Sequence, residues 1–569
     1  MRGPPDSIGT GDGIKGAQAF GKAISVLNLI ADAARPPRFT DLQAASRLPK
    51  GTLHRIISAL IDQRLVRLQA RDQTYRLGPR LFELAHRVWA DFDLRDAASA
   101  EMQRLADLWR GSVHLAVPDG SEALIIDLAE APQPFRLPFG VGRRLPLHAS
   151  ALGKALLASQ PSEQRADLVK RLRLAPSTPR TITQRTAFEL ELDLTIVRGY
   201  ALDDEELETG IRCIAAPILD HTGTPIGAIS VSLPAFRIER ADMHVAARDV
   251  IDAARQIAGN AGATPVFSIS TPPRTAGKPP RDLERTVAEA GLNAESPLWN
   301  PKVATLHWVD LLDPHLCAAR PGRVPVTRLP LDDLVSCISF RQAGGLVGAT
   351  RRGLAALDPE TGALTRIVEI EADRPRNRPN DGRCDRHGRF WVGTMAMDGA
   401  AGQGSLYVVD RDHRVRRVDT GFGVSNGIAW SPDDRWMYFA DSRARMVYRY
   451  RFDLAAGTAS DRAAFIDFSG DPGNPAGLAV DVDGFIWSTV WDGWAVRRFD
   501  PDGRLERVVH LPVPRPTSCT FGGRGLTTLF VTTARSRLSR ERLEEAPLSG
   551  SIFALPVPVR GQPETPFAG

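Results

Sequence analysis

The C-terminal half of the chain repeats itself, and that repetition constrains the fold more than any single motif. Strand–turn–strand units begin near Leu298 (LWNPKVATLHWVD), Ile338 (ISFRQAGGLVGAT), Cys384 (CDRHGRFWVGTM), Ile428 (IAWSPDDRWMYFADS), Leu478 (LAVDVDGFIWSTVW) and Cys519 (CTFGGRGLTTLFVTT). Each joins two short β-prone runs through a turn rich in Pro, Asp or Gly. Outer hairpins follow several of them: LAALDPETGALTRIV, SLYVVDRDHRVRRV and VRRFDPDGRLERVV. A period of roughly 40–50 residues is the length of a β-propeller blade, and six units predict six blades. A β-sandwich would not repeat in this way.

A propeller brings a loop from every blade to one end of a central channel, so polar residues scattered along the chain can meet there. Four corners stand out: Glu295 in AESPLW, Arg378, Asn380 and Asp381 in RPNDG, Asp398 after GTMAM, and Asn426 in SNG. Carboxylate and carboxamide oxygens suit a hard divalent cation such as calcium, magnesium or manganese. Each corner alone also reads as turn chemistry, Asn426 as a turn cap and Asn380-Asp381-Gly382 as a tight turn.

A chain of 569 residues is too long for one such domain. Between Ile14 and Arg80 there are twelve Lys and Arg against four Asp, although the whole chain carries only +5. So local an excess is an electrostatic footprint for nucleic acid. Phe20 to Ala33 is apolar at helical spacing, Thr40 is placed to cap a short helix DLQAASRL, and GTLHRIISALIDQR is a third helix. Leu53, Ile56, Ile57, Leu60 and Ile61 form the buried stripe of that third helix, leaving Lys50, Thr52, His54 and Arg55 at its exposed start. LVRLQARDQTYRLG then alternates about a polar tip, as a β-hairpin wing carrying Arg67, Arg71 and Arg76 for phosphates. These features predict a winged helix-turn-helix binding a double-stranded DNA operator.

The middle of the chain alternates strand-like runs (SVHLAVP, EALIIDL, CIAAPIL, PIGAISVSL) with helical ones (FELELDLTIV and Ile238 to Ala258), an α/β sheet domain with room for a ligand cleft. Asn260 to Arg281, NAGATPVFSISTPPRTAGKPPR, reads as a flexible linker. The start, MRGPPDSIGTGDGIKG, lacks the apolar segment of a secretory signal and reads as a disordered tail. No run approaches the length of a membrane span, and the five cysteines form no C-x-x-C pair. Both point to the cytoplasm and away from a membrane.

From the wing onward the sequence resembles the IclR family of bacterial transcription regulators, through RLPLHASALGKALLA (Arg144 to Ala158) and GYALDDEELETGIRCIAAPI (Gly199 to Ile218). The resemblance covers roughly Gln18 to Gly259 and implies a GAF-like α/β effector-binding domain, a homodimer or tetramer, and a small organic acid as effector. It places His148, Ala149, Ser150 and Gly153 in one wall of the effector site, and Cys213 and Ile214 in another. The residues by themselves allow plain core packing for Cys213 and a helix N-cap for Ser150.

From about Leu283 to Pro566 the chain resembles the gluconolactonase/regucalcin (SMP-30-like) family, through PNDGRCDRHGRFWVGTM, SNGIAWSPDDRWMYFADS and PVPRPTSCTFGG. That resemblance implies a divalent cation (calcium, magnesium, manganese or zinc) on Glu295 and Asn426, and a sugar lactone held by Arg378, Asn380 and Asp398. One position departs. The family carries Pro-Asp-Gly before LAVD, and its aspartate serves as metal ligand and general base; this chain has Asn474-Pro475-Ala476-Gly477. An alanine methyl does neither job, and Asp471 and Asn474 are the polar residues nearest in sequence. The expected organisation is multidomain: a tail (1–17), a winged helix-turn-helix (18–80), linker helices with the effector domain (81–259), a linker (260–281) and a six-bladed β-propeller (282–569). The expected function is a DNA-binding regulator that responds to a small organic (sugar) acid and is fused to a metal-dependent sugar-lactonase-like propeller; the alternative is a ligand-binding propeller whose catalysis is impaired because Ala476 replaces the general-base aspartate.

Overall fold

The computed structural model describes residues 17–31, 33, 35–81, 83, 93–130, 139–262, 277–323, 325–470 and 472–569. Of the features read from sequence, residues 1–16 of the tail, 82 and 84–92 of the linker helices, 263–276 of the linker, and Asp471 lie outside this set. The chain divides into two compact units, Met1–Asp96 and Ala97–Gly569.

The first unit contains α1 (Ala17–Ala31), α2 (Phe39–Ser46), α3 (Lys50–Asp62) and a hairpin of β1 (Val66–Gln69) and β2 (Thr74–Leu77). Val26, Ile30, Leu42, Leu53, Ile57, Leu60 and Val66 form its core. The cap of α2 differs from the sequence expectation. Helix begins one residue before Thr40, and the Asp41 carboxylate accepts the Arg38 backbone N–H at 2.8 Å. A carboxylate in the first turn satisfies an orphan N–H and complements the helix dipole, so Thr40 becomes an ordinary helical residue.

The α/β domain follows, its first helix starting in the last residues of the first unit. Its elements are α4 (Asp93–Trp109), β3 (Ser112–Asp119), β4 (Glu122–Glu130), β5 (Arg144–Pro146), α5 (Ala151–Ala158), α6 (Ser162–Arg171), α7 (Arg185–Arg198), β6 (Ala201–Asp204), β7 (Ile211–Leu219), β8 (Pro225–Pro234) and α8 (Arg240–Asn260). The strands make one antiparallel sheet in the order β5-β4-β3-β8-β7-β6. Every residue of α5 is buried, including Lys154.

Six four-stranded antiparallel sheets follow, the blades of a propeller. Two blades show how the repeat encodes its own turn. In Asp385-x-x-Gly388-x-x-Trp391, Asp385 accepts the backbone N–H groups of His387 and Arg389 on one oxygen and the Trp391 indole on the other, at 2.9, 3.1 and 2.8 Å. Asp481-x-x-Gly484-x-x-Trp487 repeats the arrangement with Asp483, Phe485 and Trp487, at 3.1, 2.9 and 3.0 Å. Gly388 and Gly484 take φ of 77° and 85°, a conformation costly for a side chain. Each buried tryptophan contributes about 1.5–3 kcal/mol or more of burial while its N–H stays satisfied.

The ring closes by joining distant chain segments: the outermost strand of the last blade, Glu284–Val287, comes from the start of the propeller and pairs with Ile552–Pro556. At the end of the channel where the innermost strands finish, the C-terminal segment runs across. Val482 donates to the Arg560 carbonyl, Phe567 to the Phe340 carbonyl and Ala568 to the Gly388 carbonyl, at 3.0, 2.7 and 2.9 Å. The other end, where the innermost strands begin, carries the residues singled out above.

Candidate functional site

The innermost strands share one irregularity. Register shifts fall between Glu295 and Leu298, Pro379 and Gly382, Ser425 and Ile428, Pro475 and Leu478, and Pro516 and Cys519. A β-bulge frees two residues from the ladder and re-aims their side chains, a device common beside active sites. The freed pairs are Ser296-Pro297, Asn380-Asp381, Asn426-Gly427, Ala476-Gly477 and Thr517-Ser518. Asn380, Asn426 and Ala476 therefore occupy corresponding positions on blades 3, 4 and 5, and Glu295 is the last paired residue before the bulge of blade 1.

These side chains are held by one another. Arg378 is buried, and its Nη1 donates to the Asn380 Oδ1 and the Pro379 carbonyl, both at 2.8 Å, while its Nε has no hydrogen-bond partner among the described residues. The Asn380 amide donates to the Ser425 carbonyl at 2.6 Å. The Asn426 amide donates to Ser442 Oγ at 3.0 Å, and that hydroxyl donates to the Pro475 carbonyl at 2.6 Å. With its nitrogen so engaged, Asn426 keeps Oδ1 for a ligand. Burial, with Asp381 adding to it and Arg378 opposing, pushes the Glu295 carboxyl up to about 8. Burial likewise brings Arg378 down to about 10.

Asp398 sits apart from this group. It is exposed in the turn after Ala396, where its carboxylate accepts the Ala400 N–H at 3.0 Å. Asp381 lines a small channel cavity with Ser296, Ser339, Arg383, Ser518 and Glu564. There Arg383 pairs with Glu564 at 3.0 Å, a contact that joins blade 3 to the C-terminal segment and that local sequence patterns do not announce.

Among the described residues no group of three or more His, Cys, Asp or Glu forms a metal site. A cation at the mouth would draw on the Glu295 carboxylate and the Asn426 Oδ1. That set fits a hard cation completed by water, but it is thin: one formal charge, and a buried methyl at Ala476.

In the α/β domain, Ser150 is the N-cap of α5: its hydroxyl accepts the Gly153 N–H at 3.0 Å and donates to the Pro146 carbonyl at 2.8 Å. Ala149 and Ile214 are fully buried, and His148 Nε2 lies 2.9 Å from the Ala175 carbonyl. A Cβ on Gly153 would stand 2.5 Å from Leu147 Cα, so only glycine fits there. Cys213 lies across the sheet between Asp203 and Ser232. Burial, reinforced by Asp203, holds its thiol well above the ordinary value, making it an unreactive packing group.

The charged floor of this region was not picked out from sequence. Lys154 Nζ lies 2.6 Å from Glu206 Oε1, and both groups are buried. Burial disfavours the ammonium, but Glu206, Glu191 and Asp203 more than offset it and hold Lys154 above its ordinary pKa. Burial pushes Asp203 up to about 7, against the pull of Lys154. The available signal was one lysine inside the otherwise apolar ALGKALLA, facing an acidic run LDDEELE.

In the first unit Lys50, His54, Arg55, Arg67, Arg71 and Arg76 are all exposed, with Thr52 half-buried at the start of α3. Arg67 and Arg76 are opposite one another in the β1–β2 ladder, so the wing presents two cations side by side.

Three family models match in chain order: the IclR helix-turn-helix domain over 20–70, the bacterial transcriptional regulator IclR C-terminal domain over 86–259, and the SMP-30/gluconolactonase/LRE-like region over 293–535. The C-terminal half is 36% identical over 288 residues to 6-deoxy-6-sulfogluconolactonase of Pseudomonas putida, covering 50% of this chain and 99% of that protein. It is 33% identical over 282 residues to regucalcin of Oryctolagus cuniculus, covering 48% of this chain and 94% of that protein. The N-terminal half overlays the Thermotoga maritima IclR structure with 28% identity and a TM-score of 0.39, over 43% of this chain and 99% of that one. The chain thus unites an IclR-type DNA-binding and effector module with a propeller that belongs to the SMP-30/gluconolactonase family.

Proposed function

We propose that this protein is a transcription regulator whose operator affinity answers to a small organic acid, and whose propeller binds a sugar lactone but hydrolyses it poorly. The observation that supports the propeller reading is the shared bulge, which frees Asn380 and Asn426 from the ladder and, at the third corresponding position, frees a methyl, Ala476. Arg378 and Asn380 would orient the lactone ring oxygens. Glu295 and Asn426 would hold a divalent cation, which when bound polarises the lactone carbonyl. Asp398 would join them only by moving in from its exposed turn. At the third bulge position the described residues offer a methyl, Ala476, in place of a carboxylate that would take a proton from water.

Assays of the purified full-length protein on aldonolactones, with calcium, magnesium, manganese or zinc, test this. Ligand binding with turnover far below the usual enzyme range of about 1–10³ s⁻¹ supports it. Turnover inside that range would make the propeller a working lactonase, with Asp381 the acid best placed to serve as base.

The exposed start of α3 and the basic wing support a major-groove reading by Lys50, Thr52, His54 and Arg55, with Arg67, Arg71 and Arg76 on phosphates. Arg67→Ala is expected to lower the slope of log K against log salt by about one phosphate contact, uniformly across sequences. Arg55→Ala is expected to cost about 1–3 kcal/mol on the operator and to relax specificity. Fluorescence anisotropy over a salt series measures both, and a slope unmoved by Arg67→Ala would remove the wing from the interface. A carboxylate effector in the sensor is expected to shift operator affinity by about 1–3 kcal/mol in either direction. Loss of that response on deleting the propeller would move the sensing site out of the α/β domain.

A further inference from the structure

We propose that the propeller mouth is a second ligand input to the regulator, coupled to the sensor pocket through α7. The ligand class, a sugar lactone or its open hydroxy acid, rests on the reading of the mouth given above. The sensor domain is seated on that mouth. Leu194 and Val197 of α7 share one buried cluster with Leu311, Leu312, Leu334 and Met397 of the propeller. Arg351 bridges Asp193 of α7 and Asp333, the latter at 2.7 Å. Arg537 donates to the Val197 carbonyl. These propeller residues come from loops of blades 1, 2, 3 and 6, all at the end where the innermost strands begin.

A run of polar contacts leads from Glu191 of α7 to Glu295 at the mouth. In the sensor, Phe188 and Leu192 of α7 belong to the core, and Glu191 acts electrostatically on Lys154. Arg198 Nη1 donates to Glu191 at 3.4 Å, while its Nε and Nη2 donate to the Leu312 carbonyl at 3.0 and 2.8 Å. The Leu312 N–H donates to Asp310 Oδ1 at 3.3 Å, and the Asn293 N–H donates to the same oxygen at 3.1 Å. The Asn293 amide then donates to Glu295 Oε1 at 3.3 Å. Asp310 is buried, so the turn it organises cannot yield at one point without moving the others. A ligand that draws on Glu295 competes for the Asn293 amide, and the strain falls on the turn whose carbonyl seats Arg198. Arg198 and Lys154 share Glu191, so a change in one alters the charge felt by the other. Such a contact run transmits only if the ligand prefers one arrangement of it, which makes the coupling measurable.

The test uses the full-length protein with D-glucono-1,5-lactone and D-gluconate as probes. Calorimetry gives binding, and amide hydrogen exchange reads residues 148–158 and 185–206. In the native chain, saturating probe is expected to change protection in those segments by about 5- to 150-fold. Arg198→Ala is expected to abolish that change while probe affinity is retained; should it not fold, Arg198→Lys and Arg351→Gln carry the comparison. Probe binding with unchanged exchange in the native sensor overturns the coupling and leaves the reading of the mouth standing. No probe binding overturns both. A change that persists in Glu295→Gln, where the mouth is disabled, would mean the probe acts on the sensor directly and also overturns the coupling.

Discussion

Ala476→Asp is expected to raise lactone hydrolysis by about 10²–10⁴-fold, the usual contribution of a positioned general base. Position 476 lies in the blade 5 bulge, next to the Pro475 carbonyl that Ser442 holds and that ties back to Asn426. A carboxylate there would stand beside Glu295 and Asn426, add a second formal charge to a thin cation site, and accept a proton from water. Because that work falls in the transition state, kcat should rise more than KM changes. Cation titration without substrate supplies an independent readout, and Ala476→Asp should bind more tightly than the native chain. High native turnover with no gain from the substitution would show that another acid has taken the role. Asp381→Asn would then abolish activity if Asp381 is that acid.

Lys154→Met is expected to destabilise the sensor domain by about 3–5 kcal/mol near neutral pH, the typical cost of removing one partner of a buried pair. Methionine keeps most of the side-chain volume, so the loss reports charge rather than a cavity. It leaves Glu206, Asp203 and Glu191 with no ammonium among them. The pH dependence has a definite sign. Above about pH 4, near the ordinary carboxyl pKa, the unfolded carboxylates are ionised, and in the native chain Lys154 makes their burial tolerable. As pH falls, Asp203 and Glu206, both raised by burial, protonate, the ammonium loses them as charged partners, and the gap between native and variant narrows. Stability linked to the raised Asp203 pKa is present at low pH and lost as pH rises through about 7. Thermal unfolding of the full-length protein from pH 4.5 to 8, followed on the sensor transition, measures the gap. A difference independent of pH would assign the loss to packing instead.

Blade number, the winged helix and the order of the domains were legible because each rests on short-range pattern. The blade turns are written in Asp-x-x-Gly-x-x-Trp, where one aspartate satisfies its own turn and its own tryptophan within seven residues. The stripe Leu53, Ile57 and Leu60 likewise marks the buried face of α3 from sequence alone. Thr40 misled because a threonine and an aspartate one residue apart are both good cap signals, and only the backbone shows which N–H groups are free.

What tertiary structure decided is where distant groups meet. Asp398 follows the strand that pairs with Asn377, Arg378 and Pro379, yet its turn leaves it in solvent. The bulges that aim Asn380, Asn426 and position 476 toward one channel depend on ladder register with a neighbouring strand, which no local pattern specifies. Lys154 finds Glu206 across 52 positions of sequence. Above all, α7 is buried through Phe188, Leu192, Leu194 and Val197, with Glu189, Glu191 and Asp193 interspersed among them. Only the assembled molecule shows that one side, Phe188 and Leu192, belongs to the sensor core and the other, Leu194 and Val197, to the propeller mouth. The parts were legible along the chain, because strand, helix and turn preferences act over a few residues. Their meeting was decided by ring closure and packing, because those contacts join residues that the chain keeps far apart.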